Sequence, residues 1–268
     1  MLEPYCIAAD TMLSAALDYA SCQHMTASLR RSDLELCVFG PLFGLPDASP
    51  FCIKALTLLK MSGLPYAEGR MKFGEAPKGK APYLKDTGKT IADSHFIQRH
   101  LETAHGVDFS GGYNAVDLAK GWAMARMLEE HFYFLSMNIR WLRDENFWKG
   151  PYQFFAGIPS PIRPLIARMV RKKVAKTHYL QGLGRHTPEE RLALATGDLQ
   201  AVEAMLARNR FLLGDKPCAA DASVLAFLWA AECPYFKSEI GNYIRNRPVL
   251  MNYLGNMQER YFPEFKVS

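Results

Sequence analysis

A hydroxyl and a thiol lie within one helical turn of each other at Ser49 and Cys52, in the stretch DASPFCIKALTLLKMSGLPY over residues 47–66. A helix N-terminus carries free backbone N–H donors and a partial positive charge, so it stabilises an anion placed there, a thiolate included. Two other stretches offer complementary chemistry. Lys80-Ala81-Pro82-Tyr83-Leu84 places a proline where a kinked loop would expose the backbone N–H and C=O before it, groups that can pair with an extended ligand as a neighbouring strand would. Asp93-Ser94 comes after a strand-like run and opens a helix. Its carboxylate suits an ammonium group, and its hydroxyl with nearby N–H donors suits a carboxylate, so the pair could receive the α-amino-acid end of a ligand.

Each stretch also has a purely structural explanation. Ser49 fits an N-cap, Pro50 the first helical turn and Cys52 a packed core position, while Gly63-Leu64-Pro65 ends the helix. Pro82 could sit on an edge strand or at a strand entry. Asp93-Ser94 could be a simple cap.

The elements that would position these residues alternate in type. Residues 34–39 (LELCVF) read as a strand, 49–62 as a helix and 66–70 as extended; residues 81–85 and 89–92 form a hairpin turning at Gly88, and 94–104 are helical. That order predicts a small α/β unit of about 75 residues with a mixed sheet. No glycine-rich phosphate loop accompanies it. The glycine-rich stretch 106–114 then leads into helical sequence. Leu128, Phe132, Leu135, Ile139 and Leu142 recur every three or four residues as one buried stripe, Thr187-Pro188-Glu189-Glu190 is a capping box, and a last buried helix starts near Asp221. The division expected is an extension without fixed structure over residues 1–32, an α/β domain over 33–105, a linker over 106–114 and an all-helical domain over 115–268.

Bulk properties exclude several classes. With 49% hydrophobic and 22% charged residues in 268, the chain is neither disordered nor membrane-embedded in composition, and no apolar run approaches the length of a membrane span. A net charge of +5 permits anionic ligands without calling for nucleic acid. Six scattered cysteines with no C-x-x-C pair argue against a disulfide framework or a zinc site and fit a reducing compartment, the cytoplasm. No metal role is assigned: His131 lacks a second histidine at ligand spacing.

In order and on these elements, S-P-F-C, K-A-P-Y-L and I-A-D-S resemble the thioredoxin-like N-terminal domain of cytosolic glutathione S-transferases. Residues 211–221 (FLLGDKPCAAD) resemble the segment opening the central helix of their C-terminal domain, with Cys218 in place of the usual Ser or Thr cap. The G-D-K-P wording and the aromatic-rich middle are similar to the failed-axon-connections and metaxin-like branch. The resemblance covers residues from about 34 to 260.

The resemblance implies a thioredoxin-like α/β domain followed by an all-α domain, with reduced glutathione as co-substrate. Ser49 would face the sulfur, with Cys52 in the place of a resolving cysteine. Lys80, Ala81 and Pro82 would meet the cysteinyl part, and Asp93 and Ser94 the γ-glutamyl end. The implied reaction adds the glutathione thiolate to an apolar small-molecule electrophile, for which the aromatics of residues 132–155 could form a wall. Two alternatives remain open: a glutathione-dependent thiol reductase using Cys52, and a non-catalytic metaxin-like scaffold. A homodimer is compatible with the resemblance, although the insert near residues 140–185 could mask the pairing face. Residues 163–176 form a basic amphipathic helix, for which a solvated face is the simplest explanation.

Overall fold

The computed structural model describes residues 33–265, so the expectation for residues 1–32 lies outside the described residues. Strand β1 (Leu34–Val38) is central and buried at every residue but Glu35, and the helix α1 (Pro50–Ser62) returns the chain to β2 (Ala67–Arg70), which pairs with β1 in parallel. Strands β3 (Tyr83–Asp86) and β4 (Lys89–Ala92) form a hairpin, and β3 pairs antiparallel with β1, giving the order β2-β1-β3-β4. Its two-residue turn has positive φ at Thr87 (42°) and Gly88 (82°), which matches the turn to the strand twist. Helix α2 (Ser94–His105) comes next and ends at Gly106 in the left-handed conformation.

The helical half consists of α3 (Ala115–Met127), a π-helical turn (Leu128–Phe132), α4 (Tyr133–Leu142), α5 (Asp144–Lys149), α6 (Arg163–Gln181), α7 (Pro188–Leu206), α8 (Ala219–Glu232), α9 (Glu239–Arg245) and α10 (Pro248–Tyr261). Helix α8 is buried from Ala220 to Glu232, because its sequence is apolar on every face. It packs along α1, which is likewise buried over Cys52–Leu59, one side on the sheet and the other on the helical half. Each of Ile53, Leu56, Leu58 and Leu59 contributes about 1.5–3 kcal/mol through that burial. The two halves therefore share one core.

The capping box at Thr187 and Glu190 forms as the sequence predicts. Of the expected stripe, Leu128, Phe132 and Leu135 are buried while Ile139 and Leu142 are only half-buried. Ile139 and Leu142 lie in the last turns of α4, beyond the π-turn, which itself holds Glu129 buried. Among the described residues no helix is long and apolar enough to cross a membrane.

Candidate active site

Strand register gathers the predicted residues. Tyr83 pairs with Cys37 on one side and Ala92 on the other, so the end of β1, the start of β3 and the end of β4 share one edge of the sheet. From that edge the chain runs through residues 39–49 into α1, enters β3 through Lys80-Ala81-Pro82, and leaves β4 into Asp93-Ser94. Three segments far apart in sequence thus reach one place. Cys52 does not reach the surface with them.

Ser49 occupies the N-cap of α1 with an extended backbone, yet its side chain makes no capping hydrogen bond. Asp47, which carries no site signal in the sequence, satisfies the loop instead. Its Oδ1 accepts from the Ser49 N–H at 2.7 Å and its Oδ2 from the Gly40 N–H at 2.7 Å, with both carboxylate oxygens inside the protein. Gly40 is needed here: it sits at φ 92°, and a Cβ would run into the Arg70 guanidinium, which donates to the Phe39 carbonyl. The Ser49 hydroxyl is left at the mouth of the helix. Cys52 is 0% exposed, and burial, with the nearby Asp47 charge, pushes its thiol well above the ordinary range against a lowering bond from Ser49.

Burial likewise raises the Asp47 carboxyl to about 6, although both N–H bonds favour the charged form. Between about pH 4 and 6 the folded state therefore holds this proton more tightly than the unfolded chain does. The resulting stabilisation is complete below about pH 4 and is lost as the pH rises through 6, a change of about 2–3 kcal/mol. Urea unfolding at pH 4 to 7 should show the wild type losing that amount relative to Asp47→Asn; a pH-independent difference would show that Asp47 does not titrate this way.

The Ala81–Pro82 peptide is cis, and the Pro82 carbonyl accepts from the Asp93 N–H at 3.2 Å, locking the β3 entry to the α2 entry. Asp93 has φ 82° and ψ 133°, a conformation costing about 1–3 kcal/mol for a residue with a Cβ and one that collects at ligand-holding positions. One of its oxygens accepts from the His95 N–H at 3.1 Å; the other is 3.7 Å from Lys80 Nζ. Ser94 is the first residue of α2. Its side chain is 1% exposed and its Oγ has no hydrogen-bond partner. A buried hydroxyl without a partner costs about 1–3 kcal/mol, so a ligand that bonded to it would recover that penalty.

Behind the site, Lys54 of α1 forms a buried ion pair with Glu129 of the π-turn at 2.7 Å, the two side chains being 2% and 3% exposed. Ser223 Oγ donates to the same Glu129 oxygen at 2.6 Å and Arg126 bonds the other. This network joins α1 to α3, the π-turn and α8. Its Lys54, Arg126 and Ser223 also line a cavity of about 270 Å³ between α2, α3 and α8. That cavity lies beside the site rather than at Ser49. A smaller hollow of about 30 Å³ adjoins the start of α1, lined by Pro50, Tyr133, Met137, Trp141 and Phe227. Of the aromatics over residues 132–155, Phe132 and Phe147 are core. Phe154 stands 6.3 Å from Phe39 and 5.9 Å from Trp141, as a wall beside the loop that leads to Ser49.

Comparison with known proteins agrees with this architecture. A family model described as the glutathione S-transferase N-terminal domain matches residues 50–146, and one described as the glutathione S-transferase C-terminal domain matches residues 195–257. An isoprene-epoxide–glutathione S-transferase of Rhodococcus sp. (strain AD45) is 27% identical over 238 residues, 84% of this chain and 99% of that protein. Failed axon connections of Drosophila melanogaster is 27% identical over 237 residues, 82% of this chain but only 56% of the fly protein. Among solved structures, a β-etherase of Sphingobium sp. strain SYK-6 superposes with a TM-score of 0.63 at 17% identity, covering 87% of this chain and 98% of the other. A glutathione transferase family member from Pseudomonas fluorescens with two glutathione bound gives 0.57 at 14% identity, covering 88% and 93%.

Proposed function

Because this chain belongs to the glutathione S-transferase family, we propose that it binds reduced glutathione at the sheet edge described above and adds its thiolate to an apolar electrophile. One observation carries the reading: the buried, unpartnered Ser94 hydroxyl at a helix N-terminus, beside an Asp93 held in a strained conformation. Asp93 takes the ammonium of the γ-glutamyl group. The Ser94 hydroxyl and the first N–H groups of α2 take its carboxylate. The backbone at Ala81 pairs with the cysteinyl part as an added strand would, Pro82 fixes that loop, and Lys80 lies beside Asp93 at the rim.

Bound in this way, glutathione carries its sulfur to the start of α1, where Ser49 donates a hydrogen bond. A free thiol with a pKa of about 8.5 is only a few per cent ionised at pH 7; stabilising the anion by about 2–3 kcal/mol makes it half to mostly ionised. The hydroxyl supplies part of that, and the helix N-terminus the rest. The thiol proton leaves to solvent on binding. With an epoxide, the class handled by the Rhodococcus relative, the sulfur attacks a ring carbon, the C–S bond forms as the C–O bond breaks, and the alkoxide takes a proton from water.

Two substitutions test the binding part. Asp93→Ala and Ser94→Ala should each weaken glutathione binding by calorimetry about tenfold or more, roughly 1.4 kcal/mol for one charge-assisted contact. Unchanged affinity in both would overturn the assignment. The burial of Cys52 weighs against the reductase alternative: a thiol reductase needs an accessible thiolate, and this thiol is enclosed and pushed up.

A further inference from the structure

We propose that Asp86, His100 and His105 form a binding site for one divalent transition-metal ion, Zn²⁺ fitting best. Asp86 ends β3, and its Oδ2 lies 2.6 Å from His100 Nε2 and 2.8 Å from His105 Nε2. The three potential ligand atoms are all within 4.8 Å of one another. The imidazoles approach from different directions, their planes 73° apart with centroids 5.7 Å distant. The Thr87 hydroxyl donates to Asp86 Oδ1 at 3.2 Å, which sets the rotation of the carboxylate and leaves Oδ2 facing the two rings.

Two imidazoles and a carboxylate are a standard Zn²⁺ donor set with a fourth position for water. Tetrahedral coordination with bonds of about 2.0–2.1 Å puts donor atoms about 3.3 Å apart, so the nitrogens retreat from Oδ2 by about 0.5–0.7 Å and settle about 3.3 Å from each other, from a present separation of no more than 4.8 Å. Access is open: the side chains of His100 and His105 are 15% and 26% exposed, above an Asp86 that is 7% exposed. A ring bound through Nε2 carries its proton on Nδ1. Two N–H···O bonds are thereby exchanged for two nitrogen–metal bonds and one oxygen–metal bond, with no change in oxidation state.

Two histidines five residues apart point about 140° from each other on a regular helix, so their spacing gives no metal signal in the sequence. They converge because Asp86 lies between them at the last turn of α2, which stops at Gly106. β3 begins immediately after Pro82 and α2 begins at Ser94; these same two elements end at the cluster. The ion would pin the far ends of the two segments whose near ends carry the proposed glutathione-binding groups.

The test needs no glutathione, so its outcome is separate from the transferase reading. The full chain, stripped with EDTA, is titrated with Zn²⁺ by calorimetry and with Co²⁺ by visible absorption, and its melting is followed with and without Zn²⁺. Expected are one equivalent bound, a raised Tm, and a Co²⁺ spectrum without thiolate charge-transfer bands. Asp86→Asn, which keeps an acceptor for the histidines, and His100→Gln should each weaken Zn²⁺ about 100-fold or more while retaining the native circular dichroism. Cys6→Ser/Cys22→Ser should bind as the wild type does. No binding up to about 1 mM Zn²⁺, thiolate bands with Co²⁺, or unchanged affinity in natively folded Asp86→Asn and His100→Gln would each overturn the proposal.

Discussion

Ser49→Ala should lower kcat/KM for glutathione and an epoxide by about 10- to 100-fold, the loss expected when one hydrogen bond to a charged group is removed. Glutathione affinity measured at low pH, where the bound thiol is protonated, should change little, because the γ-glutamyl and cysteinyl contacts remain. The split matters: a lost thiolate contact appears in turnover, whereas a misfolded loop would appear in both. The loop should survive, since Asp47 and not the Ser49 side chain holds the backbone at the α1 entry. Cys52→Ala provides the contrast. It removes a buried thiol beneath the helix start and should cost stability while leaving turnover within a fewfold. Full activity in Ser49→Ala, or abolished activity in a folded Cys52→Ala, would move the chemistry from the hydroxyl to the thiol.

Glu129→Ala should be among the most destabilising single changes in the protein, at about 3–5 kcal/mol, because it strands the Lys54 ammonium in the core with no carboxylate. Burial already pushes the Lys54 ammonium down, against the opposing pull of Glu129. Truncation also orphans the Ser223 hydroxyl. Replacing both charges together, as Lys54→Met/Glu129→Leu, should restore most of the loss, since a buried pair repays little more than its own desolvation. Urea unfolding of the wild type, Lys54→Met, Glu129→Leu and the double variant forms a double-mutant cycle. A cost below about 1 kcal/mol for Glu129→Ala would mean that water reaches the pair and that the network does not tie the two halves together. Lys54 lies in α1 between Ser49 and the core, so partial loss of the pair should also loosen the helix that presents the Ser49 hydroxyl.

Local signals carried much of this into the sequence. The proline after Ser49, the left-handed Gly63, the Thr-Gly hairpin turn and the Thr187 capping box are each specified within four residues, and each forms. The gathering of Ser49, Pro82 and Asp93-Ser94 at one sheet edge was legible only through family resemblance; no local rule sets the Cys37–Tyr83–Ala92 register. What escaped is non-local or hidden by periodicity. Lys54 reads as an ordinary polar residue on an amphipathic helix, and its partner lies 75 residues away. The π-turn preserves spacings of four and three at Leu128, Phe132 and Leu135, so the pattern cannot distinguish it from α-helix. Asp47 sits two residues before Ser49, where a surface loop is expected, and only the fold reveals that it is buried and bonded to two backbone N–H groups. Asp93 reads as a cap and does cap α2; its positive φ and the unpartnered hydroxyl beside it belong to the three-dimensional site alone.

The most direct test of the central claim is a pH titration of the ultraviolet thiolate absorption of glutathione bound to the full chain. Expected is a single transition with a midpoint at least about one unit below the free-thiol value of 8.5, moving back upward in Ser49→Ala and unchanged in Cys52→Ala. A bound thiol that titrates at its free value, or no binding up to about 1 mM glutathione, would contradict it.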